Sequence, residues 1–500
     1  MLIRILLCWL AVVPFSLVAQ NPTVLRYGNG ITSKELKDNL SVLASDVLEG
    51  RGTGTRGQKM AAAFIASHFE EIGLKGPVND SYFQPITLYS SKAPEVHLEV
   101  SGDELTPNKD FIFIGSGGTG ETIQLPLHFA GKGTEVDLNQ VDVRDKAVLI
   151  FLEGASIRNN PALQQMRNSG AKMIFAMVEK EEDFKSLSAL ADVISRGRMS
   201  LTMGTPYTVT NLFILHAATG SRFMKSSPER LKKAMEENDL KAINPVTVAY
   251  SVKPGFKEVK TENVLGFLEG SDKKEEVIVI TAHYDHIGKR NSGEGDLINN
   301  GADDDGSGTV AVMAIASAFA KAKQEGKGPR RSILFMTVTA EEVGLLGSQY
   351  YTNTQPVFPL EKTVVNLNID MIGRSDPRHQ NQAPYVYVIG SDKLSTELHR
   401  VSESVNKKYT NLVFDYTYND PAHPERLYYR SDHWNFASKN IPVIFYFDGI
   451  HEDYHKPSDE VSKIDFDLLT KRTKCIFYTA WEIANRENRI MPDVQPSNQN

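Results

Sequence analysis

Cysteine is nearly missing from this chain: two occur in 500 residues. Cys8 lies inside the apolar start, so Cys475 stands alone in the rest of the sequence. One thiol cannot form an internal disulfide, and stability must come from a large core or from bound metal. Long apolar runs are missing as well. Beyond residue 20 no stretch approaches the roughly 20 apolar residues that a membrane-spanning helix needs, so no membrane span is expected. Basic excess is also absent. The formal net charge is -7, from 55 Lys and Arg against 62 Asp and Glu, which argues against nucleic acid as a partner. There are no internal repeats and no low-complexity tracts.

What is present begins with MLIRILLCWLAVVPFSLVA, residues 1–19. Arg4, an apolar run and a small-residue end give it the form of a signal peptide, cleaved after Ala19 or Gln20. An exported protein is expected, periplasmic or secreted. The length is too great for one ordinary domain. Residues 20–94 carry two helical patterns, SKELKDNLSVLASDVL and a second ending near Ile72–Gly73, joined by the loop EGRGTGTRG. Two helices cannot close a core, so they must pack on later parts of the chain. Residues 95–245 alternate short β-rich runs with glycine turns and hold no cluster of histidines or paired acids. Residues 246–490 show short, continuous apolar runs (EVIVITA, RSILFMTVT, KTVVNLNI, YVYVIG, IPVIFYF), separated by helices such as Gly306–Lys323 and Phe466–Arg486. Such runs are strands buried on both faces. The expected fold class is α/β, with a mixed, mostly parallel central sheet flanked by helices and a β-rich insert. Residues 491–500 read as a disordered tail.

The polar residues that follow these strands are nearly all metal-ligand types. His283 and Asp285 end one run; Asp303, Asp304 and Asp305 follow; Glu341 and Glu342 end the next; Asp370 ends another; His451, His455 and Asp459 lie beyond the last. In an open α/β sheet such positions converge at the carboxyl edge. A single strand-end acid or histidine is more often a helix cap or a surface pair. The whole set is not, because unpaired carboxylates gathered at a sheet edge cost several kcal/mol. A carboxylate-rich set without thiolates suits Zn²⁺, Mn²⁺ or Co²⁺. There are too many ligands for one tetrahedral ion, and two ions bridged by a carboxylate would use them.

In chain order, TAHYDHIG, NNGADDDGSGT, TAEEVGLLGS, NLNIDMIG, YRSDHWNF and YHKPSDE resemble the secreted co-catalytic di-zinc aminopeptidase family. Its members include bacterial leucyl aminopeptidase and, more distantly, glutamate carboxypeptidase II, glutaminyl cyclase and the transferrin receptor. The likeness covers about 256–490 and the helices at 33–73; residues 95–245 are similar to the protease-associated domain that some members carry. The resemblance implies two Zn²⁺ ions per chain, with His283 and Asp370 on one, Glu342 and His455 on the other, and Asp304 bridging. It implies Glu341 as general base, Asp285 accepting the second ring N–H of His283, and Tyr428, with Tyr429 as runner-up, stabilising an oxyanion. It further implies a cis peptide at Asp304–Asp305. His286, His451, Asp432 and His433 are expected to play supporting or surface roles, Arg374 and Arg430 to pair with the acids, and the loop EGRGTGTRG to line the cleft. The expected substrates are peptides with a free N-terminus. A carboxypeptidase or dipeptidase, a single-zinc glutaminyl cyclase and a non-catalytic binding protein are the alternatives.

Overall fold

A computed structural model describes residues 20–494 except 116–117, 155, 158–159, 196–198, 204–210 and 291. The expected signal peptide and residues 495–500 of the expected tail lie outside the described residues. The chain divides into two compact units: Met1–Ile86 with Thr261–Asn500, and Thr87–Lys260.

In the first unit the strands run in the order Val413–Asp415, Tyr385–Ile389, Val443–Phe447, Thr363–Ile369, Lys273–His283, Arg331–Val338 and the 264–268 end of a longer strand. Four of the six pairings are parallel, so the sheet is mixed and mostly parallel, as expected. The apolar runs are continuous because successive side chains serve opposite cores. Ile278, Ile280, Ile333 and Phe335 pack with the helices Gly308–Gln324 and Phe466–Asn485. Val277, Val279, Leu334 and Met336 pack on the other side with Tyr351 and Phe436.

The N-terminal helices find their partners in the first of these cores. Ser33–Leu43 starts where Thr32 Oγ1 accepts the Glu35 N–H, and Arg56–Glu71 where Thr55 caps Gln58. Leu36, Leu40, Ile65 and Phe69 are fully buried beside Ile278 and Val310; each such side chain contributes about 1.5–3 kcal/mol. Between the helices, the turn Asp46–Arg51 places Glu49 and Arg51 in the left-handed region, each with φ 51.

The second unit has its own α/β core. Ile123–Phe129, Ala147–Phe151, Met173–Val178 and Asn211–His216 are consecutive parallel neighbours, with Phe111–Ile114 antiparallel at one edge. Residues 161–178 pass from the helix Pro161–Asn168 into the strand Met173–Val178. Phe175 stacks on Phe213 with ring centroids 4.9 Å apart inside this core.

The expected tail is partly structured. Asp493 accepts hydrogen bonds from Thr396 N (2.7 Å) and Thr396 Oγ1 (2.6 Å) at the start of the helix Thr396–Tyr409. A carboxylate facing the free N–H groups of a helix start explains why this end is held. No helix among the described residues is long and apolar enough to cross a membrane.

Candidate metal centre and active site

The strands ending at His283, Val338, Ile369 and Phe447 run parallel to one another, so the loops beyond them open on one edge of the sheet. His283 is the last residue of its strand, and Asp370 directly follows Ile369. Glu341 and Glu342 follow a left-handed turn at Ala340 (φ 58); Glu341 faces His283, and Glu342 faces His286 and His455. Asp303, Asp304 and Asp305 lie in the tight turn Ala302–Ser307 that enters the helix Gly308–Gln324. The Asp304–Asp305 peptide is cis.

Asp304 stands at the centre. Its Oδ1 is 3.1 Å from His283 Nε2, which is 3.6 Å from Asp370 Oδ1 and 3.9 Å from Glu341 Oε2. Its Oδ2 is 3.1 Å from His455 Nε2, which is 3.2 Å from Glu342 Oε2. The two oxygens of one carboxylate therefore face two separate N/O clusters. Among the described residues, ligand atoms of His283, Asp304 and Asp370 lie within 4.8 Å of one another, as do those of His286, Asp304 and Glu342. The closest spacings match the edge of a tetrahedron built on roughly 2 Å metal–ligand bonds, about 3.3 Å. Asp304 Oδ2 and Glu342 Oε1 are buried and face imidazole nitrogens, at 3.1 Å and 2.6 Å, without a well-aligned hydrogen bond. Such buried carboxylate oxygens are costly unless a cation satisfies them, and the donor set fits zinc.

The electrostatics agree. Burial, reinforced by the Asp370 and Glu342 charges, pushes the Glu341 carboxyl well above the usual range. Burial lifts Asp285 up to about 6 and Asp432 up to about 7. Burial opposes protonation of His455, yet Asp304 and Glu342 raise it to about 10. Glu341, Asp285 and Asp432 are thus held toward their neutral forms, whereas at Asp304 and Glu342 burial is outweighed by the neighbouring imidazoles, which hold both low.

The flanking aspartates hold loops. Asp305 accepts the N–H groups of His283, Gly308 and Met371, and Asp303 accepts that of Gly373. His451 Nε2 faces Asp303 Oδ2 at 3.2 Å. Asp459 accepts the backbone N–H groups of Asp303 and Asp304, each at 3.1 Å. In the SDH motif, Ser431 Oγ donates to Asp370 Oδ2 (2.6 Å), Asp432 accepts from Ser348 Oγ, and His433 stacks on Phe445.

Two expected contacts are corrected. The ring of His283 meets the backbone carbonyl of Asp285, with Nδ1 to O at 3.0 Å, and leaves its carboxylate 3.9 Å away. The Asp285 carboxylate turns instead to Thr53 Oγ1 (2.8 Å) and the Glu341 N–H (3.2 Å). A carbonyl can only accept, so Nδ1 of His283 carries a proton, and Nε2 is the nitrogen that faces the site. Tyr428 is the second. Its ring packs against Tyr429, His433 and Trp434 and under Gly390, and it is not among the residues lining the cavity beside the acids. Tyr429 packs on Trp434 and Arg426 and does not line it either.

That cavity, about 40 Å³, is lined by His283, Asp304, Glu341 and Asp370 together with Phe445, Phe447, Leu427, Met371 and Ile450. Tyr454 and Arg430 complete it. Tyr454 stacks on His455 with centroids 3.9 Å apart. The sequence offered one signal for this tyrosine, its place directly before His455. His286, expected in a supporting or surface role, is buried, with Nδ1 2.6 Å from Glu342 Oε1. Arg374 pairs with Asp453 at 3.2 Å, away from the central acids, and Arg430 pairs with Glu425 at 2.8 Å. The loop EGRGTGTRG does not line the cavity; it lies against the loops that carry the acids.

Residues 263–480 match the model of Peptidase family M28. The chain is 27% identical over 268 residues to leucine aminopeptidase 2 of Trichophyton rubrum, covering 49% of each. It is 21% identical over 456 residues to aminopeptidase YwaD of Bacillus subtilis (strain 168), covering 89% of this chain and 84% of that one. The chain thus spans about half the length of the leucine aminopeptidase it matches. The solved structure of an aminopeptidase from Aneurinibacillus sp. strain AM-1 superposes with a TM-score of 0.52 at 18% identity, over 95% of this chain and 100% of that one, a likeness of fold. The acids and histidines of the site from His283 to His455 lie inside residues 263–480, the segment that matches peptidase family M28.

Proposed function

We propose that the protein is a zinc-dependent aminopeptidase that hydrolyses the first peptide bond of substrates with a free N-terminus. The observation that carries this reading is Asp304, which offers one oxygen to each of two N/O clusters. In it, His283 and Asp370 would hold one zinc, Glu342 and His455 would hold the other, and Asp304 would serve both, with His286 steadying Glu342. Two zinc ions would supply Lewis acidity at the scissile carbonyl and make water nucleophilic near neutral pH. Glu341 lines the cavity and takes the proton from the attacking water, then passes it to the amine nitrogen as the C–N bond breaks. The phenol of Tyr454, also in the cavity lining, donates to the oxygen on which charge develops. The aromatic and aliphatic lining from Phe445, Phe447 and Leu427 favours an apolar first side chain.

One observation favours a second reading. Arg430 lines the same cavity and could receive a C-terminal carboxylate, as a dipeptidase or carboxypeptidase requires. Its guanidinium is half-exposed and already paired with Glu425, which favours the first. A chelator-controlled screen of aminoacyl, dipeptidyl and C-terminal reporter substrates separates the two. Release of the N-terminal residue, abolished by chelator and restored by Zn²⁺, is the expected result; cleavage only at the C-terminal side would overturn it.

Two further parts of the reading concern the rest of the chain. Residues 95–245 are proposed as a protease-associated-like insert, supported by the separate compactness of Thr87–Lys260. Residues 1–19 are proposed as a signal peptide directing export to the periplasm or medium. A mature N-terminus at Gln20 or Asn21 is the expected result of sequencing the exported protein.

A further inference from the structure

Arg51 is one of the largest fully buried side chains in the protein, and it sits in the loop that the cavity does not use. Its Nε donates to the Tyr284 carbonyl (2.8 Å), Nη1 to the carbonyls of Leu43 (2.7 Å) and Asn300 (2.6 Å), and Nη2 to that of Gly301 (2.9 Å). All four acceptors are backbone. Tyr284 lies between His283 and Asp285, and Gly301 is three residues before Asp304. Two residues along the same loop, Thr53 Oγ1 donates to the Asp285 carboxylate, whose other oxygen accepts the Glu341 N–H. Neighbouring glycines show how closely the loop is seated: a Cβ at Gly50 would land on the Asn299 carbonyl oxygen, and one at Gly57 on that of Leu48.

We propose that Arg51 and Thr53 are positioning residues: Arg51 fixes the backbone of the His283 and Asp304 loops for metal, and Thr53, through Asp285, fixes the backbone of Glu341. This inference rests on the zinc peptidase reading above. Charge and geometry make opposite demands on Arg51, which makes its role measurable. A permanent cation beside an acidic metal site repels metal, so if charge alone mattered, a neutral replacement would tighten zinc binding. A planar fork that ties three loops together cannot be replaced by an ammonium with three donors, so if geometry matters, both Lys and Gln weaken it.

The test compares Arg51→Lys, Arg51→Gln and Thr53→Val with the wild type, each checked by circular dichroism. Zinc affinity is read by competition with a chelating dye, and ligand geometry by the visible spectrum of the Co²⁺-loaded protein. The expected result is a loss of zinc affinity of about tenfold or more in both Arg51 variants, with an altered Co²⁺ spectrum. Thr53→Val should keep zinc affinity and KM while kcat falls about tenfold. Wild-type or tighter zinc binding by folded Arg51→Gln would overturn the role of Arg51. Should neither Arg51 variant fold, Thr53→Val decides, and an unchanged kcat there overturns the proposal. Failure of the wild type to take up zinc would overturn the underlying reading and this inference with it; wild-type uptake with unchanged variants overturns this inference alone.

Discussion

Both units of this chain set out parallel, doubly buried strands, and both open a crevice beyond the carboxyl ends of those strands. The contents differ. In the first unit the crevice holds desolvated carboxylates and imidazoles crowded against one another. In the second, a larger hollow of about 640 Å³ is lined by charges that neutralise one another in water. There, Lys132 meets Glu153 and Lys232 meets Glu179, each at 2.6 Å and each about half-exposed or more. The architecture supplies a crevice in both cases. Chemistry requires burial, because only there do opposed acids shift far enough to need a metal and to act as bases. Size is a poor guide: the crevice that gathers the acids is the smaller one.

Substitutions can break or sharpen this contrast. The largest effect is expected from Asp304→Ala, which removes the carboxylate shared by both clusters; bound zinc, measured by atomic absorption, and turnover should both be lost. Glu341→Gln should keep its zinc and lose about 10²–10⁴-fold in kcat, so retained wild-type turnover would remove Glu341 as the base. In the second unit the buried core is what matters. Phe175→Ala, at a fully buried ring stacked on Phe213, should cost about 3–5 kcal/mol in urea unfolding. Lys232→Ala, at the mouth of the larger hollow, should leave melting temperature and turnover unchanged. A clear loss of turnover in that variant would mean the second crevice takes part in the reaction.

The strands, the packing need of the N-terminal helices and the convergence of acids were legible because each rests on hydrophobic runs or on residues at strand ends. Side-chain direction was not. Sequence order places Tyr428 and Tyr454 in neighbouring motifs, and only the fold shows that it is Tyr454 that lines the cavity. Asp285 lies two residues from His283, and the sequence could not show that a carbonyl would take the ring N–H while the carboxylate turned to Thr53. Arg51 was hidden for a further reason: its partners are backbone carbonyls far along the chain, and carbonyls leave no signature in side-chain identity. Asp493 caps a helix from within a segment whose composition reads as tail.

The way the first unit is split has a consequence in time. Its helices Ser33–Leu43 and Arg56–Glu71 are synthesised before the whole of Thr87–Lys260, and the strands that cover them come afterwards. At ~5–20 residues per second, that delay is roughly 10–35 s. Throughout it Leu36, Leu40, Ile65 and Phe69 have no core to enter, although the intervening unit can already close its own. The growing chain therefore carries a folded middle and a sticky beginning, and a chaperone that shields apolar helices has its substrate in that interval.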